Sequence, residues 1–268
     1  MRLIVIPPYQ NPIVNWVFII RGLLDSLEKK GQLKGVEVDV DEGYFTESTA
    51  ESRDDEFKAN ISAGLIKKAK EYSEMGQYDA IIFTGGSDPA FAASRLASKI
   101  PVVGPLHSCL HVASLIGERC GHIHLSASGA LAVRHVAESY GLSHKLASAR
   151  YVNYSTTHIY KLLSKYKDNW EDRFKDPELG KILDDITTQC LASIEKDRVD
   201  TLVFSVEPIE ALEDEIVRRL DEAGYDEIPI ISGFSAAVEL AKVMVNMKLV
   251  QAPRAYPDAA LKAKPEYW

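Results

Sequence analysis

Cysteine is scarce in this chain: three in 268 residues, at positions 109, 120 and 190, an odd number without CxxC spacing. A disulfide framework is thereby excluded, and a reducing, cytoplasmic setting is expected. Long hydrophobic runs are missing as well. The opening MRLIVIPPYQNP holds an apolar stretch too short for a signal peptide or a membrane span, so neither is expected. Positive charge is in deficit, with 31 Lys and Arg against 39 Asp and Glu and a formal net charge of −8. No Lys/Arg-rich stripe offers the cations that phosphates demand, so neither nucleic acid nor membrane is an expected partner. The loops also lack GxGxxG and the phosphate-loop Lys-Ser/Thr pair, which disfavours a nucleotide. What remains is a small soluble ligand, with no cofactor and no metal expected.

What the chain does contain is alternation. Short β-branched runs at 2–6, 35–40, 79–83, 101–104, 121–125, 146–150, 200–205 and 228–231 read as strands. Between them, helix-period apolar spacing runs over 16–29, 56–73, 88–98, 107–117, 129–140, 176–196, 208–223 and 234–247. This is the pattern of parallel sheets wrapped by crossover helices, an α/β fold. It is also written twice. FTGGSDPA at 83–90 is answered 121 positions later by FSVEPIEA at 204–211, each closing an apolar run opened by an aspartate, Asp79 and Asp200. Residues 100–113 lie without a gap against 228–241. Two pseudo-symmetric open parallel-sheet αβ domains are expected, with the active site in the cleft between them. The first comprises residues 1–105 completed by 225–268, and the second residues 106–224.

Ligands of open parallel sheets bind outside the carboxyl ends of the strands. The repeated tips, Thr84-Gly85-Gly86-Ser87 and Ser205-Val206-Glu207, thus become opposite walls of one pocket, joined by Tyr9, Gln10 and Asn11 after the first strand and by Ser126 and Ser128 after the fifth. These substrate-binding candidates are mostly small hydroxyls and amides, suited to hydrogen-bonding a small polar molecule. Two glycines let the backbone approach a ligand closely, while Ser87 or Asp88 can cap the helix that Pro89 starts. The same turn reads equally well as an ordinary capped strand-to-helix junction. Glu207 precedes Pro208 and serves either as a helix cap worth roughly 0.5–2 kcal/mol or as a general base whose pKa burial would raise.

Histidines come in two pairs. His107 and His111 share a helix face, and His122 and His124 a strand face, but no acidic ligand has matching spacing, so a metal cluster is not expected. His107, at a helix start on the cleft side, is a second acid/base candidate and Tyr9, with its phenol, a third; each also has a structural reading, as a capped histidine and as a cover for the sheet mouth. Cys109 reads as a packed core thiol.

The segments Asp79-Ala-Ile-Ile with Ser87-Asp88-Pro89, Pro101-Val-Val-Gly104, Tyr140-Gly141-Leu142 through Arg150, Pro229-Ile-Ile with Ala236-Ala237-Val238, and Ala255-Tyr256-Pro257 together resemble the Asp/Glu/hydantoin racemase superfamily, most closely its hydantoin-racemase-like branch. The resemblance implies two αβ domains and a cysteine at the tip of each repeated strand, the two acting on opposite faces of a carbon next to a carbonyl; a homo-oligomer is also expected. Gly85 and Val206 stand at those positions here, and neither carries a proton. Arylmalonate decarboxylases are similar in having the glycine. The expectation is isomerase or lyase chemistry on a small carboxylate or cyclic amide, with Glu207, His107 or Tyr9 in place of thiols. The alternatives are a decarboxylase-like lyase with an apolar pocket and a non-catalytic ligand-binding relative.

Overall fold

The structure, a computed structural model, describes residues 1–47 and 55–264. It contains two four-stranded sheets, both parallel throughout. In the first, β1 (Arg2–Ile6), β2 (Glu37–Val40), β3 (Ala80–Phe83) and β4 (Val102–Val103) lie in the order β2-β1-β3-β4. In the second, β5 (Cys120–His124), β6 (Leu146–Tyr151), β7 (Thr201–Phe204) and β8 (Ile230–Ser232) lie in the order β6-β5-β7-β8. The two orders are the same, and the offset between β3 and β7 is that of the sequence repeat. Strand β3 and all but the first residue of β1 and β7 read as unbroken apolar runs because helices cover both faces, whereas β5 carries His122 and His124. Phe83 and Phe204, the last residues of β3 and β7, are both fully buried, and truncating either to alanine should cost about 3–5 kcal/mol.

The first five helices are α1 (Val17–Lys29), α2 (Asp55–Glu74), α3 (Phe91–Ala97), α4 (Pro105–Ile116) and α5 (Ala127–Ser139). They are followed by α6 (Thr156–Ser164), α7 (Pro177–Asp197), α8 (Glu207–Glu210), α9 (Glu213–Glu222), α10 (Gly233–Asn246) and α11 (Ala259–Lys262). The single helix expected over 208–223 is two. The carbonyl of Ala211, at the break, accepts from the Arg173 guanidinium at 2.8 Å. Helix α6 and the 3-10 helix Trp170–Lys175 fall in a stretch where no element was expected.

Two helices change sides. Helix α4 leaves the first sheet after β4 and packs on β5, β7 and β8, while α10 leaves the second sheet after β8 and packs on β3 and β4, the two helices crossing each other. This corrects the expected boundary at 225: residues 230–232 pair with β7 in the second sheet, and only from α10 onward does the chain return to the first. Each of these helices is capped by a buried carboxylate that follows the repeated tip of the sheet it leaves. Asp88 accepts from the backbone N–H groups of Leu106 (3.0 Å) and His107 (2.6 Å) and from the Tyr140 hydroxyl (2.8 Å). Glu210 accepts from Phe234 N–H (2.7 Å) and the Ser232 hydroxyl (2.8 Å). The carboxylate of Asp88 occupies space that a Cβ at Gly104 would enter, at 2.6 Å from Oδ1. Asp88 therefore caps α4 and not α3, whose N-cap is Ala90 in a left-handed conformation without a side-chain bond.

Candidate active site

The tips of β3 and β7 meet. The Ser205 hydroxyl donates to the carbonyl of Gly86 at 3.0 Å, and the backbone N–H of Gly85 donates to Oε1 of Glu207. Gly85 reaches this arrangement with φ of 108°, a region that side chains rarely adopt, so glycine is required there. Over the joined tips lies a cavity of about 440 Å³, within the usual range for small-molecule sites. Gly85, Gly86 and Ser87 form one wall and Val206, Glu207 and Pro208 another. Glu207 is only 4% exposed. The backbone N–H groups of Gly86 and Ser87 donate to no acceptor among the described residues.

Tyr9 and Ser128 also line the cavity; Tyr9 is buried, its ring edge-on to Trp16 and Phe57. Six expected residues lie outside it. Gln10 turns its amide to Glu42 at 3.2 Å. Asn11 folds its side-chain oxygen onto the N–H groups of Ile13 and Val14, building the turn that follows the first strand. Thr84 still points into the core, 1% exposed. Ser126 caps α5 by accepting from Gly129 N–H at 3.2 Å. Ser205 is consumed in stitching the tips and also bonds His122 Nε2 at 2.9 Å. His107 is furthest from its expected role. Only its backbone serves the Asp88 cap, while its ring packs against Phe91, His111 and Tyr140, and burial pushes its pKa down to about 3.

The reading from sequence missed an aromatic wall, Trp16 and Phe57 with Ile61 behind, and it missed His124. The signal for His124 was present, a histidine in the last position of a strand two residues before a serine cap. Among the described lining residues Lys58 is the only fixed cation and Glu207 the only carboxylate. The three cysteines lie elsewhere, all buried, and burial pushes each thiol up, that of Cys120 to about 11.

Two similar parallel sheets sharing one cleft, with a carboxylate and an imidazole at the strand tips, define an α/β protein with acid/base groups gathered between its halves. The chain belongs to the Asp/Glu/Hydantoin racemase family, whose description matches residues 17–241. A hydantoin racemase of Pseudomonas sp. (strain NS671) is 24% identical over 184 residues, which is 69% of this chain and 65% of that protein. The chain thus matches somewhat less than two thirds of that relative's length. An allantoin racemase from Klebsiella pneumoniae shares the fold with a TM-score of 0.72 at 18% identity, over 94% of this chain and 90% of its own. Allantoin racemase from Pseudomonas fluorescens does so with a TM-score of 0.73 at 16% identity, over 96% and 97%. Among the described residues no helix is long and apolar enough to cross a membrane.

Proposed function

We propose that this protein moves a proton at a carbon next to a carbonyl without thiol chemistry, and that Glu207 is the base. One observation carries the reading. The Glu207 carboxylate is anchored on the Gly85 amide inside the cavity, next to two N–H groups, of Gly86 and Ser87, that have no acceptor among the described residues. The anchored carboxylate takes the proton. The electron pair left on carbon moves to the carbonyl oxygen, where a preorganised pair of N–H donors is the strongest available stabiliser. The Gly85 amide is not part of this donor pair, since its hydrogen is held by Glu207.

Charge selects between the two expected substrate classes. A substrate carboxylate brought to about 5 Å from the Glu207 carboxylate would meet a repulsion of about 3 kcal/mol at an effective dielectric constant near 20. Among the described lining residues the one fixed cation, Lys58, is exposed. A neutral cyclic amide carries its acidic C–H beside a carbonyl without that penalty, so we favour cyclic amides such as hydantoins and allantoin. A second reading comes from the apolar wall of Trp16, Phe57, Ile61 and Val206. A substrate carboxylate pressed against it and against Glu207 is destabilised, which drives loss of carbon dioxide.

The test is solvent deuterium exchange into 5-benzylhydantoin, allantoin, aspartate and an arylmalonate, followed by mass spectrometry and circular dichroism. Exchange into a cyclic amide, reduced about 10²–10⁴-fold in Glu207→Gln with substrate affinity within a small factor, is the expected result. Carbon dioxide release from the arylmalonate supports the lyase reading. Binding without either reaction leaves a ligand-binding protein and removes the proposal, and near wild-type exchange by Glu207→Gln removes the base.

A further inference from the structure

His124 ends β5 with its ring laid over the first turn of α5. The space it fills is the one that Gly129 leaves: a Cβ there would fall 1.8 Å from His124 Cε1 and 2.0 Å from Nδ1. The orientation is fixed from the backbone. Ser126 N–H donates to Nδ1 at 3.1 Å, so Nδ1 is the acceptor nitrogen and the neutral ring carries its hydrogen on Nε2. Nε2 is the nitrogen turned to the joined tips: a Cβ at Gly86 would lie 3.2 Å from it and 2.7 Å from Val206 Cγ2. His124 and all these neighbours except Ser126 line the cavity that contains Glu207.

His122 does not compete for this position. It lies two residues earlier in β5, fully buried, with Nε2 on the Ser205 hydroxyl, and the two rings are 6.0 Å apart. Because Ser205 spends its own hydrogen on the Gly86 carbonyl, it accepts from His122. His122 thereby holds Ser205, and through it the Gly86 carbonyl, in place.

We propose that His124 is the electrophile of the reaction, donating its Nε2–H as a neutral imidazole to the substrate carbonyl oxygen. This rests on the assignment of Glu207 as the base. When Glu207 takes the proton and becomes a carboxylic acid, the C–H electron pair becomes the enolate π bond and the carbonyl oxygen takes the negative charge. The Nε2–H bond to that oxygen shortens without breaking, so no imidazolate forms and the ring stays neutral throughout. Return of the proton to carbon restores both groups. A neutral imidazole is a closer acidity match to an enolate than an imidazolium, and its hydrogen bond strengthens as charge arrives. The Ser126 amide is what keeps it in the useful tautomer, since a hydrogen on Nδ1 would leave two N–H groups facing each other.

Long-range ¹H–¹⁵N correlation spectra of the full-length protein, with His122 and His124 distinguished by the His124→Gln variant, read the tautomer directly. The expected result is Nε2–H at neutral pH, and an Nδ1–H tautomer overturns the assignment. Kinetically, His124→Phe should lose about 10²–10³-fold in deuterium exchange into 5-benzylhydantoin with KM changed only slightly, while His124→Gln, which retains an N–H donor, recovers part of the loss. Exchange by His124→Phe within about threefold of wild type defeats His124 alone. A wild-type protein that exchanges none of the probes defeats the Glu207 reading, and with it this one.

Discussion

Replacing Asp88 with alanine tests the most consequential contact between the two halves. The carboxylate, 5% exposed, is the common acceptor for two backbone N–H groups at the start of α4 and for the hydroxyl of Tyr140, the residue that ends α5 as its C-cap. Losing the cap costs about 1–2 kcal/mol, and losing a charge-assisted bond to a hydroxyl about 1.5–3 kcal/mol. Part of this is offset, because burial of the carboxylate is itself unfavourable and pushes its pKa up to about 6. The net expected loss at pH 7 is about 3 kcal/mol, or about 6–12 °C in Tm for a chain of this size. Scanning calorimetry measures it. The cycle with Tyr140→Phe sharpens the result: the phenylalanine variant should cost about 1.5–3 kcal/mol with Asp88 present and close to nothing in Asp88→Ala. A Tm drop below about 2 °C, or a Tyr140→Phe cost that is the same in both backgrounds, would refute the cap.

His107→Phe should leave exchange activity within about threefold of wild type, because the ring lies outside the cavity. It should also flatten acid sensitivity. A histidine held neutral with a pKa near 3 against an ordinary 6.5 binds fewer protons folded than unfolded, so its contribution is intact above pH 6.5 and falls by about 1.4 kcal/mol per pH unit below it. Urea unfolding at pH 6 and pH 4 should therefore show a smaller loss in the variant, by about 2 kcal/mol, and equal losses would contradict the burial. Asp88, shifted upward, acts in the opposite sense between pH 4 and 6 in both proteins, so the comparison isolates His107. Iodoacetamide should leave activity intact, since all three thiols are buried; inactivation prevented by substrate would place a thiol in the site. Gly129→Ala should fold with a loss of about 1–3 kcal/mol while displacing the His124 ring, and it should lower turnover as His124→Phe does; unchanged turnover would separate the ring from catalysis.

The sequence was most informative where physics is periodic. Eight short β-branched runs became eight parallel strands, and the repeat offset of 121 placed Gly85 and Val206 on one cavity because matched strands of matched sheets end at the same level. It was least informative where a side chain chooses among distant partners. Asp88 sits in a turn that reads as a cap for the next helix, yet its bonds go to α4, 18 residues on, after the chain has passed through another strand. Gln10 and Asn11 stand beside Tyr9 at the end of the same strand, but only Tyr9 faces the cavity. His124 read as half of a histidine pair because strand alternation puts residues 122 and 124 on one face. What separates them is depth, one beneath the joined tips and the other at their surface. The glycine at 85 has a local reason that the repeat alone did not reveal: the backbone there takes a φ of 108°, which side chains rarely adopt.

The crossing of α4 and α10 means that neither sheet is covered by the helix following its own last strand. A polypeptide ending after one four-strand unit would leave its final helix without a sheet beneath it, and two such copies would satisfy each other only by trading helices, as swapped dimers do. Joining the copies makes the trade internal and independent of protein concentration. It also releases the two strand tips from identity. A symmetric pair must carry the same residue at both ends of its shared cleft, whereas the joined chain could set a glycine turn at one tip and a valine with a carboxylate at the other, so that one side supplies the backbone and the other the base.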